Sequence, residues 1–167
     1  MGDTGEIGDD GPTGPTGPTG SEDSRFGFFT GISTPSISTG VETELTWSTL
    51  TLSNSSDVSL SGGGRISLDT VGLYRIELDA AYEVTANNNR KSVRTRLRDG
   101  SGTPLPISSA FSYHRNITNG GGSSHISYVY NNTSAPSDIQ VTATRVSGTG
   151  TIVPLVEGFR AIATRLT

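Results

Sequence analysis

Glycine occupies every third position at the start of the chain: Gly2, Gly5, Gly8, Gly11, Gly14, Gly17 and Gly20. Where three polyproline-II-like strands meet on a common axis only glycine fits, so an unbroken Gly-X-Y register predicts three copies wound together. The repeat thus sets the oligomer as a homotrimer and makes the remainder of the chain a three-bodied head on a rod. Three consecutive triplets read Gly-Pro-Thr. Proline at X pre-sets φ near the polyproline value and lowers the entropy lost on winding. At ~3 Å per residue the rod is roughly 60 Å long. It is too short to hold itself together, so the head must bring the strands into register.

The charge is distributed unevenly. Residues 1–24 carry Asp3, Glu6, Asp9, Asp10, Glu22 and Asp23 with no Lys or Arg, while the rest of the chain carries ten acids against twelve bases. The triplets before Gly11 lack proline, and winding three copies concentrates Asp3, Glu6, Asp9 and Asp10 within a short length of rod. Like charges at that spacing repel unless a cation or a basic surface answers them. The acidic tip is therefore a candidate docking element for a larger basic partner; the alternative is that its acids only keep the rod soluble.

Composition bounds the head. The sequence has 167 residues, 31% of them hydrophobic, and no cysteine. That fits a stalk at 1–22, a linker at 23–25 and one domain at 26–167. No disulfide framework or thiolate site is possible. No apolar run reaches about 18 residues, so no membrane-spanning helix is expected. The opening residues lack the basic and apolar regions of a secretory signal. This combination suits a protein folded in the cytoplasm and released in a particle, by lysis or inside a coat, with the surface of that particle, a virion, as the expected location; a processed or truncated N-terminus is the alternative explanation.

From Phe26 the pattern changes to a period of two. Tyr74, Ile76, Leu78, Ala80, Tyr82 and Val84 alternate with Arg75, Glu77, Asp79 and Glu83, which predicts a strand over Leu73–Thr85 with one buried face. Lys91–Asp99 places Val93, Thr95 and Leu97 on one face and Arg94, Arg96 and Arg98 on the other. With Asn87, Asn88 and Asn89 as a turn, the two strands are expected to form a hairpin pairing Val84 with Val93, Tyr82 with Thr95 and Ala80 with Leu97. That register sets Glu83 opposite Arg94 and Asp79 opposite Arg98. Arg96 then faces Ala81 and has no acid, which makes it the free cation of the row. The arginines read either as paired surface charges or as an anion or acidic-glycan site. Further strands are expected at Arg25–Ser33, Thr43–Ser53, Arg65–Asp69, Leu105–Tyr113, His125–Tyr130, Ile139–Val146 and Gly158–Leu166, with no helical period anywhere. Short strands at this spacing give an all-β sandwich, with a jelly roll the natural choice.

At this point the chain resembles the C1q/tumour-necrosis-factor-like family. A collagen-like stalk before a β head is that family's layout, Gly72-Leu73-Tyr74-Arg75-Ile76 resembles its central Gly-x-Tyr-x-Phe segment with Ile76 in place of the aromatic, and Gly158–Leu166 resembles its closing strand. The Gly-Pro-Thr triplets resemble the collagens of bacteria and their viruses, and the layout also resembles phage fibre heads and spore-surface collagen-like proteins. The resemblance implies a bell of three jelly rolls, with Tyr74, Tyr82, Tyr128, Phe159 and Ile162 in the core or at the trimer interface.

Catalysis is not indicated. His114 and His125 sit in no triad or metal spacing and read as surface or interface side chains; no cofactor or metal is called for. Sequons at Asn54, Asn116, Asn131 and Asn132 are expected by chance in so Ser- and Asn-rich a chain. The charge is too low for nucleic-acid binding. Candidate ligand residues are Asn87, Asn88 and Asn89, with Arg96, and Arg115, Asn116 and Asn119 in the polar 115–124 loop. The reading is a non-enzymatic virion structural protein, a trimeric head fibre or capsid decoration held through its acidic tip. The alternatives are a tail-fibre adhesin with a glycan site in the head loops, and a bacterial spore or surface coat protein.

Overall fold

A computed structural model describes Met1 and residues 25–53, 56–86, 90–114 and 121–167. The stalk glycines, the acidic tip, Asn87–Asn89, Arg115, Asn116 and Asn119 lie outside the described residues. Twelve strands are described: β1 (Arg25–Ile32), β2 (Thr43–Leu45), β3 (Trp47–Ser53), β4 (Val58–Leu60), β5 (Ile66–Leu68), β6 (Gly72–Ala86), β7 (Lys91–Asp99), β8 (Pro104–His114), β9 (Gly121–Asn132), β10 (Ser137–Ser147), β11 (Thr151–Pro154) and β12 (Arg160–Arg165). Among the described residues the one helical element is a 3-10 turn at Val156–Gly158.

The strands form two antiparallel sheets packed face to face. In the first, the long β6 pairs with β9 on one side and with β12 and β11 on the other, and β1 and β3 continue beyond β12. The second runs β4-β5-β10-β7-β8, with β2 also against β10. Alternation decides what lies between them. The even-numbered residues of β6, Tyr74 to Val84, are buried, as are Val93, Thr95 and Leu97 of β7, and they meet Phe29, Trp47, Ile139, Val141 and Phe159 in one core. Tyr82 packs edge-on against Phe159 at 5.2 Å between centroids, and Phe159 against Trp47 at 6.3 Å.

Three expectations are corrected. First, β6 and β7 do not form a hairpin: β6 belongs to the first sheet and β7, between β10 and β8, to the second. Their apolar faces do meet, but across the core, where Tyr82 Oη lies 2.6 Å from Thr95 Oγ1. The expected cross-strand pairs Glu83–Arg94 and Asp79–Arg98 therefore do not exist, because the charged faces of these strands point away from each other on opposite sides of the sandwich. Second, the expected strand Thr43–Ser53 divides at Thr46, where the chain changes sheets, with Thr46 N donating to Ser33 Oγ (2.9 Å) and Trp47 N to Gly64 O (2.7 Å). Third, β4 and β11, of three and four residues, add to the expected set. The remaining strands match expectation within a few residues at each end, except that β9 begins four residues before His125.

Candidate functional site

The two outward faces of the sandwich carry different chemistry. On the first sheet, ladder pairing sets Phe28 beside Ile162, Ile162 beside Glu77 and Glu77 beside Ser127; one step along lie Thr164, Arg75 and Val129. Phe28 and Ile162 are half-buried, Leu73 is exposed and Val129 is 56% exposed. Arg75 and Glu77 form no ion pair among the described residues. At one end of the face the Asp79 carboxylate accepts from Arg160 Nε at 2.7 Å and lies 2.8 Å from His125 Nδ1. The hydrogen bond from Arg160, reinforced by that from His125, holds the Asp79 carboxyl below the usual carboxylate range.

On the second sheet the outward residues of β7 are Arg94, Arg96 and Arg98. The expectation that Arg96 has no acid is corrected: Glu42, just before β2, reaches all three. Its carboxylate contacts Arg98 closely and lies 3.4 Å from Arg94 Nη2 and 3.6 Å from Arg96 Nη1. Arg98 also donates to Gly102 O. Glu44, on the same face, is held by Arg65 through two hydrogen bonds of 2.6 and 3.1 Å. Three guanidiniums thus share one carboxylate. The Nε atoms of Arg94 and Arg98 and Thr144 Oγ1 are buried with no hydrogen-bond partner among the described residues. Burial, with the adjacent charge of Arg94, pushes the Arg96 guanidinium below its usual value. Beyond the arginines, the edge strand β8 sets Ser109 opposite Arg96, Phe111 opposite Arg94 and Tyr113 opposite Ser92. Phe111 is 62% and Tyr113 55% exposed.

The other sequence-derived candidates resolve as follows. Tyr74, Tyr82 and Phe159 are core residues. Tyr128 is partly buried against the core from β9, and Ile162 is the one of this set that faces outward. His114 is not at the surface: it is buried, with Nε2 2.9 Å from Ser112 Oγ and its ring edge-on to Tyr82. Asn132 is buried too, its amide donating to Thr70 O (2.7 Å) and accepting from Ser137 Oγ (2.6 Å), which removes it as a glycosylation acceptor in the folded head. The partners Glu42 for the arginines and Arg160 for Asp79 escaped sequence reasoning because they come from distant segments with no local signature.

A cleft of about 520 Å³ is lined by Ser67, Asp99, Ser101, Tyr130 and Asp138 among others. Its carboxylates are already committed. Asp99 accepts from Ser101 N, Ser101 Oγ and Thr103 N at 3.0, 2.6 and 2.8 Å, closing its own turn. Asp138 lies 4.0 Å from Arg65.

The fold is that of solved structures of the tumour-necrosis-factor type. The chain superposes on Eiger TNF from S. frugiperda with a TM-score of 0.56 at 10% identity, over 86% of this chain and 93% of that one. It superposes on murine APRIL at pH 5.0 with 0.56 at 12% identity, and on murine APRIL at pH 8.5 with 0.57 at 14%, each over 86% of this chain and all of the other. No protein-family profile and no curated protein sequence matches the chain. The comparison therefore establishes a TNF-like jelly roll and nothing about ligands.

Proposed function

We propose that this chain is a non-enzymatic, homotrimeric display protein of a bacteriophage virion, a head fibre or capsid decoration. The observation that carries the reading is the meeting of two independent features. A Gly-X-Y register needs three strands, and β1, which follows it in the sequence, lies in the sheet whose outer face bears Phe28, Ile162, Leu73 and Val129 beside Arg75 and Glu77, which form no ion pair among the described residues. Apolar side chains interleaved with unanswered opposite charges suit burial against identical copies, which supply both an apolar cover and the missing counter-charges. The head then holds the stalk strands in register, and the acidic tip, Asp3, Glu6, Asp9 and Asp10, docks on a basic virion protein. The role is mechanical: three jelly rolls are held off a shell, where they shield it or adhere to cell surfaces. The Gly-Pro-Thr style of the repeat supports a prokaryotic or viral setting.

Sedimentation equilibrium tests the assembly. The full chain is expected at three times its monomer mass, and Ile162→Asp or Val129→Asp to dissociate it with the β spectrum retained; a monomeric wild-type chain rejects the reading. Immunogold labelling of intact particles with an antibody to the head tests the location. Label spread over a capsid supports decoration, whereas label only at a tail end supports the adhesin alternative.

A further inference from the structure

The outward face of the second sheet lies on the far side of the sandwich from the proposed self-association face, so assembly through that face leaves a site here open; in this respect the inference rests on the proposed function. Among the described residues its arginine row is under-neutralised, with three guanidiniums against the Glu42 carboxylate. All three pair with Glu42, but only two also donate hydrogen bonds. Arg98 bonds Gly102 O and contacts Glu42 closely, and Arg94 donates to Glu42 at 3.4 Å. Arg96 is different: it stands 3.6 Å from Glu42 and donates no hydrogen bond among the described residues, with 24% of its side chain exposed. Beside it on β8 are the Ser109 hydroxyl and two exposed rings, Phe111 and Tyr113, two residues apart and so on one face of the strand.

We propose that Arg96 and Arg94, with Ser109, Phe111 and Tyr113, form a binding site for an acidic glycan, whose carboxylate or sulfate group is held by the arginines while its sugar rings lie on the aromatic pair. Guanidinium presents a planar fork of donors matched to an oxyanion. An exposed aromatic face beside it suits the apolar face of a pyranose and leaves ring hydroxyls to bond Ser109 and water. A nucleic acid fits less well: the local excess of positive charge is small and the chain as a whole carries a net charge of −4.

The test uses the full-length chain in low salt and four probes, measured by titration calorimetry: tetragalacturonate for carboxylate, a heparin-derived tetrasaccharide for sulfate, maltotetraose as the neutral control and a short oligothymidylate. One or both acidic sugars are expected to bind, with affinity falling as salt rises, and the stronger of the two identifies the anion. Arg96→Gln and, separately, Phe111→Ser are each expected to weaken that binding about tenfold or more. Phe111 is solvent-facing and outside the core, so its variant keeps the test available should Arg96→Gln disturb folding. Failure of both acidic sugars to bind, equal binding of maltotetraose, tighter binding of the oligothymidylate, or undiminished affinity in the folded Phe111→Ser variant overturns the proposal. None of these results bears on the trimer, whose mass is measured separately.

Discussion

The hydroxyl of Tyr82, on β6, lies 2.6 Å from Oγ1 of Thr95, on β7, in the buried interior between the two sheets. Both residues are fully buried, and burial pushes the Tyr82 phenol well above its ordinary value. The bond therefore joins two neutral groups that are both shielded from bulk solvent. Removing one partner leaves the other unsatisfied, so Tyr82→Phe and Thr95→Val are each expected to cost about 1–3 kcal/mol. The double variant should cost clearly less than the sum, because it leaves no orphan. Urea unfolding of the four chains measures this coupling, and strict additivity would count against the bond as drawn.

Phe159 links that bond to the rest of the core. Its ring is edge-on to Tyr82 and also packs against Trp47, the single tryptophan of the chain. Phe159→Ala opens a cavity between the sheets and is expected to cost about 3–5 kcal/mol. Trp47 reports the loss, since its emission should shift to longer wavelength at lower urea than in the parent chain. A midpoint unchanged within error would mean that the three rings do not share one core.

The alternation along β6 and β7 made their buried faces legible from sequence, and those assignments hold residue by residue. Their mutual placement was not legible. Periodicity reveals which face is covered but not by what, and two strands with matching apolar faces can lie side by side in one sheet or face to face across a core. The polar link between them reads as a tight turn, yet here it joins opposite sheets. Once that choice goes wrong, every charge pairing built on it fails, which is why Asp79 is found with Arg160 and His125 instead of Arg98. Glu42 was invisible for a second reason: it meets Arg94 from 52 residues away along the chain, and the other two arginines from further still, through a segment with no strand period of its own. Strands as short as β4 and β11 have too few residues to show alternation.

Gly64 shows where a glycine run does structural work. In the Gly62-Gly63-Gly64 turn before β5, Gly64 alone has a left-handed backbone, with φ +71°, and a Cβ there would stand 2.7 Å from Trp47 O and 2.8 Å from Thr46 Cβ. That is the point at which the chain crosses between sheets, and Trp47 N bonds Gly64 O. Gly64→Ala is expected to destabilise by about 1–3 kcal/mol. Gly62, with open space around it, should accept alanine within about 0.5 kcal/mol. Thermal melts of the two variants compare them directly; equal losses would show that the turn, not the crossing, sets the cost.

Acid should act through Asp79. Its hydrogen bonds from Arg160 and His125 place the folded carboxyl below the ordinary value of 3.8. The unfolded chain therefore binds that proton more tightly than the folded one, and protonation favours unfolding. The stabilising contribution is complete above the ordinary value and drains away as pH falls through the lower, folded one. The group is partly exposed, so solvent screening keeps the effect modest. Asp79→Asn removes the titration. Comparing urea midpoints at about pH 6 and about pH 3, at one protein concentration, the variant should lose less stability than the parent chain. At about pH 6 it should be the weaker of the two, having lost the carboxylate that Arg160 and His125 contact. Parallel losses in the two chains would assign the acid sensitivity to other carboxylates, and an Asp79→Asn chain as stable as the parent at about pH 6 would show that the Arg160 and His125 contacts contribute nothing.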